Sequence, residues 1–358
     1  MVRPAPAPPA EPWQATVEDP AVGPVRLTGR LRQEAAPEGE ESAGRDGGEE
    51  RDLGLAEDRR GGEVRGHGES RACGEDCGSG LSEDRSGGEV REGSGELVVL
   101  VHGLGGTIGS HYMLRGARAA EAAGISCLRL NLRGADCSGD DFYHAGLTAD
   151  LHAALASPDL RRYRRIYLLG YSLGGHLVLR YATEGGGDPR VAAAAAVCAP
   201  LDLARAQEAI DAPEAWLYRR YLISNLTRVY AAVAARRPMP LAVSAVARMR
   251  KLRDFDEHVV APRHGFTGAA DYYARASVAP RLGTLRLPSL LVNAIGDPMV
   301  QASAVRPALE PPAPLLQVRW VADGGHVAFP AAVDLALDGG GPPQVGVDAQ
   351  VIGWLRRR

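Results

Sequence analysis

The stretch that decides the fold is Arg165-Ile-Tyr-Leu-Leu-Gly-Tyr-Ser-Leu-Gly-Gly175. It begins as an apolar run typical of a buried strand and passes through a G-x-S-x-G motif into a predicted helix. Between a strand and a helix, this motif forms a tight, strained turn that exposes the serine hydroxyl. We therefore expect Ser172 to be a nucleophile, rather than part of an ordinary glycine-rich turn.

A serine hydroxyl is a weak nucleophile and needs a base, which a third group must orient. In the fold that carries this turn, the chain order is serine, acid, histidine. Asp297 follows the apolar run 289–294, and His326 follows the run 316–321 behind a pair of glycines. The alternatives are a simple Asp-Pro turn and a surface-loop histidine. Chain order and strand-end positions favour a catalytic triad of Ser172, Asp297 and His326.

Acyl chemistry at a serine also needs two backbone N–H groups that stabilise the oxyanion of the tetrahedral intermediate. One is expected from Leu173, the residue after the nucleophile. The other is expected from Leu104, in the turn His102-Gly-Leu-Gly-Gly106 that follows the apolar run 97–101. His102 itself is expected to bond within this loop and not to act as a second base.

Strands and helices alternate beyond Leu97, which predicts a mainly parallel central sheet with helices on both faces. The expected class is therefore α/β, with the α/β-hydrolase fold. From 203 to 276 helical patterns dominate, which predicts a helical cap insertion. The predicted strands are 24–32, 97–101, 127–132, 165–170, 192–198, 289–294 and 316–321, and the predicted helices include 111–123, 148–156 and 174–183. Within the cap, Trp216, Leu217, Tyr221 and Leu222 are expected either to pack in the cap or to line the pocket.

The predicted organisation begins with an extension carrying the first strand (1–36) and an acidic insertion (37–96). The core follows in two parts (97–202 and 277–358), separated by the cap (203–276). The insertion holds eighteen acids and eight arginines, and its segment 54–65 recurs almost unchanged at 80–91. So few apolar residues predict disorder. We interpret it as a passive loop between two strands of one sheet.

The composition of the chain indicates which kinds of partner and cofactor are expected. The formal net charge of −3 over 358 residues gives no case for a nucleic-acid partner. The five cysteines are scattered and odd in number, which favours a reducing compartment. Metal-binding spacings such as H-E-x-x-H are missing, so we predict neither metal nor other cofactor. The sequence shows no pattern of a signal peptide or a transmembrane segment, so a soluble cytoplasmic protein is expected. The sequence does not predict its oligomeric state.

The sequence resembles the YheT-like α/β-hydrolases, which include bacterial esterases and mammalian abhydrolase-domain lipid hydrolases. The resemblance runs from about Leu97 to the C-terminus. It rests on linked motifs: His102-Gly-Leu-Gly-Gly106, Asn131-Leu-Arg-Gly134, Tyr143-His-Ala-Gly146, Gly170-Tyr-Ser-Leu-Gly-Gly175, Phe255-Asp256, His264-Gly-Phe266, Asp271-Tyr-Tyr273, Ser277, Pro288, Asn293-Ala294 and Gly324-Gly-His-Val-Ala-Phe329.

The resemblance implies the same triad and a small-molecule ester or lipid as substrate. Relatives often carry two consecutive acids before the proline, whereas Gly296 precedes Asp297 here; only the second acid matches the catalytic position. Acyl transfer and thioester hydrolysis stay open, because they share the acyl-enzyme and differ in the second nucleophile. A third alternative is a non-catalytic ligand-binding protein, which would not need all three triad residues.

Overall fold

One eight-stranded sheet organises the molecule, with strand order β1-β2-β4-β3-β5-β6-β7-β8. The computed structural model describes residues 6–34, 95–185, 187–337 and 345–358. These residues belong to one compact unit, and the second unit, 36–92, lies outside them. The strands are β1 Glu11–Asp19, β2 Gly23–Arg32, β3 Glu96–Val101, β4 Ser126–Asn131, β5 Arg165–Tyr171, β6 Val191–Val197, β7 Ser289–Ala294 and β8 Leu316–Val321.

From β4 to β8 all neighbouring strands are parallel, and β1 and β2 form an antiparallel hairpin at one edge. The central strands β3, β5 and β6 are covered on both faces and therefore read as near-continuous apolar runs. The α/β-hydrolase class expected from the sequence is confirmed. β1 was not among the predicted strands, and its half-buried pattern places Trp13 and Val17 in the core.

Helices cover both faces of the sheet, and two apolar cores lie between them and the strands. Residues of α1 and α11 enter one core, and residues of α2 and α3 enter the other. The C-terminal helix α11 was not predicted. The helices are α1 His111–Ala122, α2 Ala149–Ala156, α3 Leu173–Thr183, α4 Leu203–Asp211, α5 Trp216–Ala234, α6 Val243–Val246, α7 Leu252–Phe255, α8 Ala261–Arg263, α9 Ala269–Ala276, α10 Ala302–Val305 and α11 Val347–Arg356, with a π-helical turn at Asp256–Val260.

Helices α4 to α9 fill the chain between β6 and β7. A buried ionic network ties this helical segment to the core. The Arg133 guanidinium contacts Asp150 at 2.6 Å, Asp19 at 2.7 Å and Asp141 at 3.0 Å. Arg263, from α8, binds the same Asp141 at 2.5 Å and Asp19 at 3.3 Å. Two arginines and two shared carboxylates thus join the β1 end, the loop after β4 and the helical segment.

A helix that crosses a bilayer must be both long and apolar. Within the described ranges, no helix meets both conditions.

Candidate active site

Ser172 lies at the turn from β5 into α3, with φ 52° and ψ −120°. Non-glycine residues rarely adopt a positive φ, so this backbone is strained. The turn closes because both flanking glycines approach backbone atoms. A Cβ on Gly170 would lie 2.1 Å from the Gly174 carbonyl oxygen, and a Cβ on Gly174 would lie 2.2 Å from the Val101 carbonyl oxygen. Only glycine fits at either position.

Asp297 is buried in the turn after β7, and His326 lies in the loop after β8. Nδ1 of His326 lies 2.9 Å from Oδ2 of Asp297, and Oδ1 of Asp297 accepts the amides of Met299 and Val300 at 2.8 and 3.0 Å. Burial by itself raises the pKa of the Asp297 carboxyl, but His326 and these amides hold that pKa below its ordinary value. The charged carboxylate fixes the ring and favours a proton on Nδ1, which leaves Nε2 as the acceptor.

Cys198 is a neighbour of this pair that the sequence analysis did not assign. It follows β6 with φ 53°, and its Sγ accepts the Val327 amide at 3.3 Å and lies 3.8 Å from the Gly325 carbonyl oxygen. Burial raises the pKa of the thiol, and the nearby Asp297 carboxylate raises it further. The neutral thiol therefore holds the loop that carries His326. The only sequence signal was its position at a strand end.

The turn after β3 is built around His102, which is fully buried. Its Nδ1 lies 2.8 Å from the Gly103 carbonyl oxygen, and its Nε2 accepts the Leu132 amide at 3.1 Å. Burial lowers the pKa of His102 to about 4, so the ring is neutral. This agrees with the expected structural role.

Leu104 and Leu173 line the same cavity as Ser172. As the first residue of α3, Leu173 has an amide without an intrahelical acceptor. Among the described residues, none accepts a hydrogen bond from the Leu104 amide. The turn is steadied one residue later, where the Gly105 amide donates to the Tyr143 hydroxyl at 2.8 Å. Both leucine amides are therefore left without a backbone acceptor in the described part of the chain.

The cavity lies over the carboxyl ends of the strands and has an empty volume of about 730 Å³, including its open mouth. Ser172 and His326 both line it. Within the described ranges no hydrogen bond joins the Ser172 hydroxyl to the His326 ring; such bonds often tighten only when substrate is bound. The apolar wall comes mainly from the helical segment, with Leu203, Ala206, Ile210, Leu226, Leu252, Phe255 and Val260.

Polar groups in this wall were missed as well. Tyr218 lines the cavity, with its ring centroid 6.3 Å from that of His326. The Tyr273 hydroxyl donates to Oδ2 of Asp256 at 2.7 Å, and both residues line the cavity. Burial raises the pKa of Asp256 to about 7. The sequence contained Asp256 and Tyr273 only as members of motifs, without a reason to pair them.

The expectation that Trp216, Leu217, Tyr221 and Leu222 either pack in the cap or line the pocket is wrong for the first three. Trp216, Leu217 and Tyr221 are 53%, 65% and 58% exposed, and none of the four borders the catalytic cavity. Leu222 is buried, so it does pack. Helical patterns in the sequence predicted a helical cap here but not which of its apolar residues face inward.

Metal-ligating atoms in the described part of the chain come together at one group, Cys198, Asp297 and His326, within 4.8 Å of one another. The hydrogen bonds from His326 to Asp297 and from the Val327 amide to Cys198 already engage these atoms. The absence of a metal stays a prediction.

The chain is similar in sequence to a protein family and to several known proteins. The profile of the alpha/beta hydrolase fold family matches residues 96–331. The chain is 30% identical to "Putative esterase YheT" of Escherichia coli (strain K12), over 72% of this chain and 76% of that protein. It is 26% identical to human phospholipase ABHD3, over 65% of this chain and 58% of that one.

A third relative is medium-chain fatty acid ethyl ester synthase/esterase 2 of Saccharomyces cerevisiae, 27% identical over 67% of this chain and 59% of the yeast protein. The chain therefore spans less than two thirds of the length of these two eukaryotic relatives.

Proposed function

The chain belongs to the alpha/beta hydrolase fold family, and from that premise we propose that it cleaves carboxylic esters with Ser172 as nucleophile, His326 as base and Asp297 as the acid that orients the base. One observation carries the proposal: the 2.9 Å hydrogen bond between His326 and Asp297 beside a cavity that also contains the strained Ser172. The names of the esterase and phospholipase relatives support the reaction class.

In the first half-reaction, the Ser172 hydroxyl oxygen attacks the ester carbonyl carbon while Nε2 of His326 takes the hydroxyl proton. The negative charge that develops on the carbonyl oxygen is stabilised by the amides of Leu104 and Leu173. Collapse of the tetrahedral intermediate breaks the bond to the alcohol oxygen, which receives the proton from His326. The alcohol leaves, and the acyl group stays on Ser172 as an ester.

In the second half-reaction, a water takes the place of the alcohol. His326 removes one proton from the water, whose oxygen attacks the acyl carbon, and the same two amides stabilise the second oxyanion. The Ser172 oxygen leaves with the proton from His326, and the carboxylic acid is released. Asp297 stays ionised throughout and stabilises the imidazolium that forms twice in the cycle.

The lining of the cavity favours binding of an apolar acyl group of the substrate. Its wall beyond Ser172 is mainly aliphatic and aromatic, with the Asp256–Tyr273 pair and Gln207 as polar members. Such a wall stabilises an alkyl chain by about 0.8 kcal/mol for each buried CH₂. We therefore infer aliphatic esters, including lipid esters, as the substrate class.

Acyl transfer to an alcohol is the second candidate. The yeast relative's name includes both synthase and esterase, and an acyl-enzyme can be resolved by either water or an alcohol. Adding ethanol during turnover separates the two reactions, because a transferase forms ethyl ester at the expense of free acid.

The proposed function is tested with a fluorophosphonate probe and a series of nitrophenyl esters. Wild type should be labelled, and Ser172→Ala should lose both labelling and nearly all hydrolysis. Asp297→Asn should lower kcat on the order of 10³- to 10⁴-fold, because His326 would favour the wrong tautomer.

Ser303→Ala, at an exposed serine on α10, is the matched control and should be labelled like wild type. Circular dichroism and thermal unfolding establish that each variant is folded. Near wild-type hydrolysis by a folded Ser172→Ala protein would contradict the assignment.

A further inference from the structure

Helix α5 has an exposed face that carries large apolar side chains. Trp216, Leu217 and Tyr221 are all more than half exposed. Helical spacing places them with Arg220 and Arg228 on one side of the helix, opposite the buried side that contains Leu222 and Leu226. In the described residues, this face has no covering element. Exposed aromatic and aliphatic residues grouped on one face mark an interaction surface.

The segment that carries this face is rich in basic residues. Residues 216–253 contain nine basic residues and no acidic residue, although the whole chain is −3. Arg219 is paired with Asp211 at 3.9 Å. The other eight have no ion pair within the described ranges. Seven of them are exposed: Arg220, Arg228, Arg236, Arg248, Arg250, Lys251 and Arg253.

A groove runs beside this face, between α5 and the turn that precedes α7. It has an empty volume of about 1160 Å³, including open solvent, and is lined by Trp216, Arg220, Ile223, Met249 and Arg250, among others. An indole, aliphatic side chains and guanidinium groups in one groove suit a ligand with both an anionic and an apolar part. Phospholipid headgroups with their adjoining acyl chains have this chemistry.

The same helix also borders the catalytic cavity. Tyr218, one residue after Leu217, lines the cavity beside His326. Leu222 and Asn225 lie against Gly105 in the turn that carries Leu104, since a Cβ on Gly105 would approach both within 3.5 Å. A surface bound to the exposed face of α5 would therefore be separated from the cavity by about the width of this one helix, roughly 10 Å.

We propose that this face docks the protein on an anionic phospholipid surface. Trp216, Leu217 and Tyr221 enter the headgroup region, and the arginines of 216–253 pair with lipid phosphates. This deepens the proposed function and rests on it for the substrate, an ester that partitions into the bilayer. Two other occupants fit less well. The acidic segment 37–96 matches the charge but has few apolar residues to cover the aromatic side chains. A second copy would place like charges together.

The test is co-sedimentation with vesicles of phosphatidylcholine alone or with one third phosphatidylglycerol, at low and high salt. The full chain should bind the anionic vesicles more tightly, and salt should weaken this binding. Arg220→Gln with Arg228→Gln should weaken it by about fivefold for each arginine. Trp216→Ala, Leu217→Ala and Tyr221→Ala together should weaken it further and also at high salt, since apolar insertion is not screened.

Matched controls are Leu315→Ala and Arg161→Gln, exposed residues before the amino ends of β8 and β5, whereas Ser172 follows the carboxyl end of β5. Both should bind vesicles like wild type. Equal binding by the α5 variants and wild type would overturn the proposal, as would equal binding to neutral and anionic vesicles. Binding by a protein lacking 37–94, with none by the full chain at any salt concentration, would assign the face to the acidic segment and also overturn it.

Vesicle binding and catalysis are measured separately. Ser172→Ala should bind vesicles like wild type, and the α5 variants should hydrolyse a dissolved nitrophenyl ester at the wild-type rate. If the wild type hydrolyses esters but does not bind vesicles, the docking proposal is wrong and the proposed function stands. If it binds vesicles but hydrolyses no ester, the proposed function is wrong and the docking proposal stands.

Discussion

At the scale of single residues, three of the five non-glycine residues with a positive φ in the described part of the chain lie at the candidate site. Ser172, Cys198 and Val327 have φ values of 52°, 53° and 48°. Each such residue costs on the order of 1 kcal/mol or more and persists because its surroundings hold it. Two of these residues contact each other through the bond from the Val327 amide to the Cys198 sulfur. The strain lies where the loop carrying His326 meets the end of β6.

Cys198→Ala should therefore lower kcat for a nitrophenyl ester, because the Val327 amide loses its acceptor and His326 is held less firmly. A loss of about 1 kcal/mol corresponds to roughly fivefold in kcat. Cys198→Ser, which keeps an acceptor, should recover most of the rate. Cys127→Ala removes another buried thiol, from β4, and should leave kcat unchanged. Equal rates for Cys198→Ala and wild type would show that the sulfur does not position His326.

Asp256 gives a pH dependence of stability. Burial raises its folded-state pKa from 3.8 to about 7, so the folded chain binds this proton more tightly than the unfolded chain. The stabilisation by the neutral carboxyl is complete below about pH 4 and is lost as the pH rises through about 7. Asp256→Asn keeps an acceptor for the Tyr273 hydroxyl and does not titrate. Its stability relative to wild type should increase from pH 4 to pH 8, by on the order of 2 to 4 kcal/mol.

Urea unfolding at several pH values measures this difference. Asp271→Asn is the control: its pKa is lowered by the Thr267 amide, so it is ionised over most of this range. A pH-independent difference between Asp256→Asn and wild type would contradict the buried neutral carboxyl.

At the scale of elements, the helical segment is held to the core by charge as well as by apolar packing. Arg263 in α8 contacts Asp141 and Asp19, which also bind the buried Arg133. Although burial raises the pKa of Asp19, the Ala21 amide and the Arg133 and Arg263 guanidinium groups lower it to about 2. The Asp19 carboxylate is therefore charged at neutral pH, and the two arginines offset the desolvation of the carboxylates that they share.

Arg263→Gln should destabilise the protein by roughly 1 to 3 kcal/mol, because it leaves the carboxylates with less compensation. Arg275→Gln is the matched control. The Arg275 side chain is 57% exposed in its pair with Asp271, so its loss should cost less than about 1 kcal/mol. Urea unfolding at neutral pH compares the two variants. Equal midpoints for Arg263→Gln and Arg275→Gln would show that the network does not stabilise the segment.

At the scale of the whole molecule, β2 and β3 belong to one sheet although sixty-three residues separate Arg32 from Glu96. The stretch between them therefore connects two strands of one sheet. The predicted disorder of 37–96 lies outside the described residues, apart from the last two, and Glu96 begins β3. Loop-closure entropy grows only logarithmically with length, so a long connection costs the sheet little.

Replacing 37–94 with a short Gly/Ser turn should therefore change the free energy of unfolding by about 1 to 2 kcal/mol and leave kcat nearly unchanged. Kinetics at low and high salt provide the measurement. The rival hypothesis is that the acidic insertion 37–96, with its net charge of about −10 from eighteen acids and eight arginines, gates the cavity by docking on the more basic body. A change in activity at low salt that disappears at high salt would support gating, because salt screens such docking.

The sequence by itself determined where the three proposed catalytic residues lie: Ser172 after β5, Asp297 after β7 and His326 after β8. These follow from apolar runs, glycine spacing and chain order, which are local properties. Only the tertiary structure decided that Cys198 contacts the loop carrying His326, that Tyr273 pairs with Asp256, and that Arg263 shares carboxylates with Arg133. Such pairs lie far apart in the chain, and no local pattern encodes their distance.

The face of α5 shows the same division. The sequence predicted a helical cap over 203–276, but the burial of each apolar residue in it depends on what packs against the helix. The core and the turn after β3 that contains Gly105 cover one side of α5. Trp216, Leu217 and Tyr221 on the other side stay exposed. A helix therefore reveals its inward face only when its partners are known, because burial is a property of the assembled elements and not of the segment.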